Sequence, residues 1–251
     1  TSAGLLGLYT SFSQRLPEPL QLRYRGHLCR HGGKVCMTDF AMRARTHAFR
    51  VPTILLVGTS MSAGKTTAGR RVCKELDRAG LYVIGAKLTG AGRYRDILSF
   101  FKTGATDIFD FVDVGLPSTV VPEAEYRAAI RPLLNHINGL GPDFLVAEAG
   151  ASPLEPYNGA AIIDELGPNI VCTILCASDP YAVLGVEKAF GLKPDLVSGP
   201  ATQTAAAVEL VRKLTGLPGI NIIEPDSKEA FRQFLMRQLG LEQQRTVNAG
   251  H

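Results

Sequence analysis

One stretch indicates the fold more strongly than any other, and it reads Val57-Gly58-Thr59-Ser60-Met61-Ser62-Ala63-Gly64-Lys65-Thr66-Thr67. The apolar run 53–57 predicts a buried strand before it, and the pattern over 65–78 predicts a helix after it. A glycine-rich turn between a strand and a helix directs backbone N–H groups at a phosphate. The sequence therefore predicts a phosphate-binding loop, or P-loop, over residues 58–67.

The residues of this loop have expected roles in binding ATP and Mg²⁺. The Lys65 ammonium would neutralise the β and γ phosphates and is a predicted catalytic residue, and the Thr66 hydroxyl would bind Mg²⁺. The helix dipole favours negative charge at the same place. The predicted nucleotide-binding set is Gly58, Thr59, Ser60, Met61, Ser62, Ala63, Gly64, Lys65, Thr66 and Thr67.

Beyond the loop, short apolar runs alternate with helical patterns. The further predicted strands are 81–87, 143–148, 170–177, 195–198 and 220–223. The further predicted helices are about 94–102, 123–137, 181–189, 202–214 and 227–239. Continuous apolar strands separated by helices are typical of a doubly wound, mainly parallel sheet that binds ligands at its carboxyl edge. We therefore predict an α/β nucleotide-binding domain over residues 51–251.

Residues 1–50 break this rhythm and are predicted to be a small β-rich appendage or the tail of an upstream domain. Two extended segments, 21–28 and 34–40, flank a turn at 31–33, as in a hairpin. This head holds eight Lys/Arg and two acids, a balance of +6 in a chain of net charge +4. Such charge could contact nucleic acid or an acidic partner. Because the charges are dispersed and no nucleic-acid motif accompanies them, we expect a solvated segment and no nucleic-acid partner.

Composition limits the class of protein. The chain has 251 residues, 45% of them hydrophobic, and its apolar runs are too short to span a bilayer, so we expect no membrane partner. Five cysteines, an odd number in a chain of this length, do not indicate a disulfide framework. We therefore expect a reducing, cytoplasmic location. The start at Thr1 rather than Met suggests a fragment of a longer protein.

Three charged residues lie where predicted strands end or a helix begins. Lys87 ends the second predicted strand and is predicted to be catalytic, the alternative being a solvated strand end. Glu148 ends an apolar strand and is predicted to bind Mg²⁺ together with Thr66, the alternative being an ordinary capping acid. Asp96 begins a helix, where an aspartate is commonly a cap.

Other chemistries are disfavoured. There is no Asn-Lys-x-Asp segment of the kind that reads guanine, and His136, within a predicted helix, is the one histidine between residues 51 and 250. A histidine-based acid–base mechanism is therefore not expected. His27, Cys29, His31 and Cys36 have the composition of a zinc site without a recognised spacing, so we expect a plain hairpin there.

Five residues, rather than the usual four, separate Gly58 from Gly64, and this longer loop resembles those of dethiobiotin synthetase and the cobyrinic acid amide synthases. The matching residues are Gly58, Thr59, Gly64, Lys65 and Thr66. Ser60 and Met61 depart from the pattern, so a carboxylate that the family uses in its loop is absent. Lys87 resembles the family's lysine that helps to hold substrate and phosphate, and Glu148 loosely resembles the family's acid, shifted by one residue. In the related enzymes an acid in the region of Asp96 also binds metal, so the resemblance makes Asp96 a third metal candidate, with a helix cap as the alternative. Asp110 and Asp113 are weaker candidates of the same kind.

The chain is also similar to a poorly characterised P-loop family that often follows a Rossmann-like N-terminal domain. The matching residues are Gly58, Thr59, Gly64, Lys65, Thr66, Thr67, Glu148, Gly150, Ser152, Pro156, Tyr157 and Gly159. Together the two resemblances cover about residues 52–225.

These resemblances imply an ATP- and Mg²⁺-dependent ligase or phosphoryl-transfer enzyme. It would activate a carboxylate-like small-molecule acceptor as an acyl phosphate, which an amine or amide then attacks. Related enzymes are often dimers, so a homodimer is compatible with this interpretation. One alternative is a nucleotide-dependent switch or chaperone ATPase that binds a protein partner. Another is a small-molecule kinase, in which Arg93 and Arg95 would serve as the lid.

Overall fold

The computed structural model describes residues 6–14, 17–44, 48–150 and 152–242. The strands are β1 (Cys29–Arg30), β2 (Gly33–Lys34), β3 (Thr53–Gly58), β4 (Val83–Thr89), β5 (Asp107–Asp110), β6 (Phe144–Ala149), β7 (Ile170–Cys176) and β8 (Leu196–Ser198). The α-helices are α1 (Lys65–Arg78), α2 (Tyr94–Phe101), α3 (Glu123–Leu140), α4 (Gly159–Leu166), α5 (Pro180–Phe190), α6 (Ala205–Thr215) and α7 (Lys228–Gln238).

A six-stranded parallel sheet forms the centre of the molecule, in the order β5-β4-β6-β3-β7-β8. Its side chains alternate between two apolar clusters, so Leu55 and Val57 belong to one and Ile54 and Leu56 to the other. Helices α3, α4, α5 and α6 complete the first cluster, and α1, α2 and α7 complete the second. The predicted doubly wound, parallel α/β fold is therefore confirmed. Within the described residues, none of the helices combines the length and apolarity that crossing a bilayer requires.

The strand order determines which residues meet at the carboxyl edge. Strand β6 lies between β3, which leads into the predicted loop, and β4. In the register of these strands, Glu148 is opposite Leu56 on one side and Lys87 on the other. Parallel strands end at the same edge, so the side chains that follow β3, β4 and β6 converge there.

The structure contains two elements that the sequence pattern does not predict, β5 and α4. Strand β5 is a four-residue edge strand with an aspartate at each end, and aspartate is rare in strands. Helix α4 begins at Gly159, directly after Asn158 in the left-handed conformation at φ 62°. Gly and Asn are both typical of turns, so local propensity does not predict a helix here, and the helix forms because of tertiary packing.

The predicted strand 220–223 is wrong. A single bridge joins Gly219 to Val197, and the Ile220 N–H donates to the Val197 carbonyl at 3.0 Å. Pairing stops there because the Asn221 carbonyl accepts from the Ser227 hydroxyl, and the chain turns into the 3-10 helix Pro225–Ser227. The apolar composition of the segment instead reflects one buried side chain, Ile222.

The N-terminal region forms the predicted turn but shorter strands than predicted. In the described residues, the paired strands are Cys29–Arg30 and Gly33–Lys34, joined by a turn at His31 (φ 52°) and Gly32 (φ 78°), and the Val35 N–H also donates to the Leu28 carbonyl at 2.9 Å. Residues 21–28 and 35–40 form no strand, and Met37–Phe40 forms a 3-10 helix. The Met42 N–H donates to the Asp113 carbonyl at 2.7 Å, which joins this region to the sheet domain. The division at residue 50 stays a prediction.

Candidate functional site

The loop after β3 holds its lysine folded back over the strand end. Gly64, at φ 103°, turns the chain into α1, and the Lys65 ammonium donates to the Ser60 carbonyl at 2.7 Å. A Cβ atom at Gly58 would lie 2.7 Å from the Lys65 Nζ atom, so any larger residue would displace the lysine from this position. The loop, residues 58–67, therefore closes around the Lys65 ammonium, and it is called the phosphate cradle below.

The Lys65 ammonium lies in an environment that favours an added negative charge. Lys65 is 3% exposed, and this burial lowers its pKa, while the nearby Glu148 carboxylate opposes that shift. A buried cation is stabilised by an anionic partner. A phosphate in the cradle would provide one.

Thr66 and Glu148 present a pair of oxygen ligands beside the cradle. The Thr66 hydroxyl donates to the Glu148 Oε2 atom at 2.9 Å. Burial raises the pKa of Glu148, which is 3% exposed, and Lys87 and Lys65 oppose that rise. Among the residues that the structure describes, no group of three or more His, Cys, Asp or Glu side chains could hold a metal by itself. Mg²⁺ typically takes one or two carboxylates with phosphate oxygens and waters, so this oxygen pair fits that ion.

Lys87 and Asp96 form an ion pair at the neighbouring strand end. Their Nζ and Oδ2 atoms are 2.6 Å apart, and Lys87 is 6% exposed. The Asp96 carboxylate is therefore engaged with a lysine in this structure, while still lying close enough to Glu148 to raise its pKa. The sequence predicts both residues for the site, and the structure brings them together.

One cavity of about 730 Å³ collects these groups. Its lining residues are Met61, Ser62, Gly64, Lys65, Thr66, Thr67, Arg70, Lys87, Gly90, Ala91, Arg93, Arg95, Asp96, Ser99, Glu148, Gly150 and Tyr157. The predicted loop residues Gly58, Thr59, Ser60 and Ala63 are not part of this lining. Thr59 instead faces the end of β7, where its Oγ1 accepts from the Ser178 N–H at 3.0 Å.

Sequence reasoning misses Arg70 and Tyr157 as cavity residues. Arg70 lies four residues after Thr66 on α1, so helical spacing alone places both on one face. Tyr157 belongs to a loop whose path nothing in its local sequence specifies. Its carbonyl accepts from the Thr119 hydroxyl at 2.7 Å, a contact between segments 38 residues apart.

Thr119 connects three segments around the cavity. Its Oγ1 atom accepts from the Gly90 N–H at 2.9 Å and donates to the Tyr157 carbonyl, and its own carbonyl accepts from Asn158 at 2.7 Å. Thr119 is fully buried. We infer that it positions both the floor of the cavity at Gly90 and the wall at Tyr157.

We expect Thr119→Val to lower the free energy of unfolding by about 2 kcal/mol, because it leaves the buried Gly90 N–H and the partly buried Tyr157 carbonyl without their partner. Urea unfolding measures the change. Thr119→Ser retains the hydroxyl and should lose clearly less. Equal losses in the two variants would mean that the methyl group, and not the hydrogen bonds, stabilises this junction.

The strand ends that carry Lys87 and Glu148 are joined by two hydrogen bonds between Thr89 and Gly150. The Gly150 N–H donates to the Thr89 carbonyl at 3.2 Å, and the Thr89 hydroxyl donates to the Gly150 carbonyl at 3.1 Å. A Cβ atom at Gly150 would overlap the Thr89 carbonyl oxygen. Glycine is therefore required where these two strand ends meet.

Asp110 and Asp113, the weaker metal candidates, cap the 3-10 helix Phe111–Val114 instead. The Asp110 Oδ1 atom accepts from the Val112 N–H at 2.8 Å, and the Asp113 Oδ2 atom accepts from the Asp110 N–H at 2.8 Å. Neither side chain lines the cavity. Burial raises the pKa of Asp110 to about 6, and the nearby Asp113 adds to the rise.

This raised pKa predicts how stability depends on pH. The folded chain binds a proton at Asp110 more tightly than the unfolded chain does, so stability falls as the pH rises from about 4 through about 6. We expect Asp110→Asn, which can still accept from Val112, to be more stable than the original by about 3 kcal/mol at pH 7.5 and equal to it at about pH 3, below the unfolded pKa. Urea unfolding at both pH values measures this, with the exposed Asp226→Asn as control. A difference independent of pH would contradict the assignment.

The topology and the loop together define the class of fold. A buried parallel strand, a glycine-rich turn and a helix that begins with Lys-Thr form the P-loop arrangement, and the chain therefore has an α/β fold of the P-loop NTPase type. No family model matches the chain, and no curated protein matches it significantly.

Several solved structures share part of this architecture. Chloroplast FtsY from Physcomitrella patens is 16% identical, with a TM-score of 0.45, over 79% of this chain and 70% of that one. HypB from Helicobacter pylori, in complex with nickel, is 17% identical, with a TM-score of 0.47, over 76% and 88%. A DUF1611 family protein from Anabaena variabilis is 11% identical, with a TM-score of 0.48, over 79% and 63%. At these scores the fold assignment depends on the chain's own topology, and the resemblance to dethiobiotin synthetase stays a prediction.

Proposed function

We propose that this protein is an ATP- and Mg²⁺-dependent phosphoryl-transfer enzyme that activates a small carboxylate-like acceptor. The observation that carries the proposal is the convergence of Lys65, Thr66, Glu148 and Lys87 on one cavity beyond the phosphate loop. A switch protein needs the phosphate cradle and the metal ligands, but it does not need a second cavity beside them. A cavity of about 730 Å³ beside them, lined by further cations, is what a second, anionic substrate would require.

In this proposal the chain acts by positioning and charge stabilisation. The amides of the loop and Lys65 hold the β and γ phosphates of ATP. Bound Mg²⁺, held by Thr66 and Glu148 with Asp96 as a further candidate, would offset charge on the phosphates. Lys87 leaves Asp96 and orients the acceptor carboxylate. An acceptor oxygen forms a bond to the γ-phosphorus, the bridging P–O bond breaks, and its electron pair leaves with ADP. An amine or amide can then attack the resulting acyl phosphate.

The proposed choice of ATP over GTP has support at the other side of the loop. Asp179 follows β7, where an acid could read a base, but its carboxylate already caps α5 by accepting from Tyr181 at 2.9 Å and Ala182 at 3.0 Å. Its second oxygen accepts from the Ser178 hydroxyl at 3.1 Å. A carboxylate that already accepts three hydrogen bonds has little capacity left to accept from guanine.

Thermal unfolding with ATP, GTP and ADP, each with and without Mg²⁺, tests the proposal. Ligands that bind the native state raise the midpoint by mass action. We expect the largest rise with Mg²⁺ and ATP, and we expect ADP release to increase when a small carboxylate is added, with the acyl phosphate trapped by hydroxylamine. A rise with GTP alone, with hydrolysis stimulated only by a protein partner, would favour the switch.

A further inference from the structure

The cavity carries more positive charge than its acids balance. Five basic side chains and two acidic ones line it: Lys65, Arg70, Lys87, Arg93 and Arg95 against Asp96 and Glu148. Lys87 is paired with Asp96, and Lys65 lies near Glu148. Within the described part of the chain, no hydrogen bond or ion pair engages the guanidinium groups of these three arginines. Guanidinium groups that line one cavity without anionic partners of their own repel one another, so a ligand with negative charge would stabilise them.

The arginines lie beyond the phosphate cradle. Arg70 is four residues past Thr66, which is about 6 Å further along the axis of α1. Arg93 precedes α2 and Arg95 lies in its first turn, so both belong to the other wall of the same cavity. The loops that follow β7 and β8, on the opposite side of the cradle, contribute no described residue to the lining. The cavity therefore extends on the side of the metal ligands, where the γ-phosphate would lie.

We propose that Arg70, Arg93 and Arg95 form a second anion subsite that binds a carboxylate or phosphate at the far end of the acceptor. This inference rests on the proposed function. The near end of the acceptor would take the phosphoryl group beside Lys87, and the far end would be held by the arginines. The planar guanidinium fork matches both carboxylate and phosphate, so the acceptor class is a small molecule with two anionic groups.

Calorimetric titration of the protein saturated with Mg²⁺ and the non-hydrolysable analogue AMP-PNP tests this subsite. The probes are succinate, adipate and 3-phosphonopropionate, which carry two anionic groups, and butyrate, which carries one. We expect the best dianion to bind at least tenfold more tightly than butyrate. Arg70→Gln and Arg95→Gln should each weaken the binding of that dianion about tenfold and leave butyrate unchanged. Comparing succinate with 3-phosphonopropionate distinguishes a carboxylate subsite from a phosphate subsite.

Lys102→Gln is the matched control, because Lys102 is an exposed cation at the opposite end of α2 and does not line the cavity. It should bind every probe as the original chain does. Equal affinity for butyrate and the dianions would overturn the subsite. Weaker AMP-PNP binding in the arginine variants would assign the arginines to the nucleotide instead.

A parallel titration without nucleotide separates this inference from the proposed function. If the chain binds no nucleotide but still prefers dianions in an arginine-dependent manner, the function fails and the subsite stands. If it binds Mg²⁺ and nucleotide but does not distinguish the probes, the subsite fails and the function stands.

Discussion

Lys65→Met is expected to abolish the rise in unfolding midpoint that Mg²⁺ and ATP produce, and to lower turnover by about a thousandfold or more. The ammonium is buried, and in this structure a single neutral carbonyl, that of Ser60, accepts its one described hydrogen bond. Methionine keeps most of the volume of the side chain and removes the charge that the phosphates would meet. Without nucleotide, the variant should be at least as stable as the original, because burial already disfavours the cation.

Lys74→Met controls for this change, since Lys74 is an exposed lysine on the same helix. It should retain both the nucleotide-dependent rise and the turnover. Measurements of the unfolding midpoint and of ADP release on all three proteins decide the point. A Lys65→Met protein that binds ATP as tightly as the original would show that this loop does not hold phosphates.

For Glu148→Gln we expect turnover at saturating Mg²⁺ to fall by about a hundredfold and the apparent Mg²⁺ affinity by at least tenfold. A glutamine side chain can still accept from the Thr66 hydroxyl, so the contact at 2.9 Å can persist while the carboxylate charge disappears. Binding of ATP measured in EDTA should therefore change little. This combination distinguishes a metal ligand from a residue that only supports the loop.

The exposed Glu125→Gln, on α3, is the control for a lost carboxylate. A titration of activity against Mg²⁺ gives the midpoint for each protein. Identical midpoints for Glu148→Gln and the original would remove Glu148 from the metal site, and Asp96 would then be the remaining carboxylate to test.

The sequence predicts the parts of the fold that local pattern controls. Helix α1 is predicted over 65–78 and observed as Lys65–Arg78, because a glycine turn, an amphipathic run and a closing glycine all agree. Strand β5 and the segment 220–223 show the limit. Strand β5 is polar at both ends yet pairs with β4. The segment 220–223 is apolar yet does not pair with β8 beyond the bridge at Gly219. Strand pairing depends on neighbouring strands that the local sequence does not reveal.

The same limit applies to the candidate site. Lys65, Thr66, Lys87 and Glu148 are predictable because each lies at a strand end or helix start in a parallel sheet. The hydroxyl of Thr119 and the path of the loop through Tyr157 are not, because they depend on hydrogen bonds between distant segments. The pairing of Asp96 with Lys87 is also a tertiary contact, which helix-capping patterns could not indicate.

Gly150 has no side chain, and this affects the chemistry at the carboxyl edge of the sheet. Strands β4 and β6 carry an ammonium and a carboxylate on paired positions, Lys87 and Glu148. The ends of these strands are in contact at Thr89 and Gly150, where no space is left for a further atom. Because Gly150 has no Cβ atom, the two strand ends can lie this close together, and their closeness sets the separation of the two charges. A methyl group at position 150 would overlap the Thr89 carbonyl oxygen and force the ends of β4 and β6 apart, which would change the separation of Lys87 and Glu148.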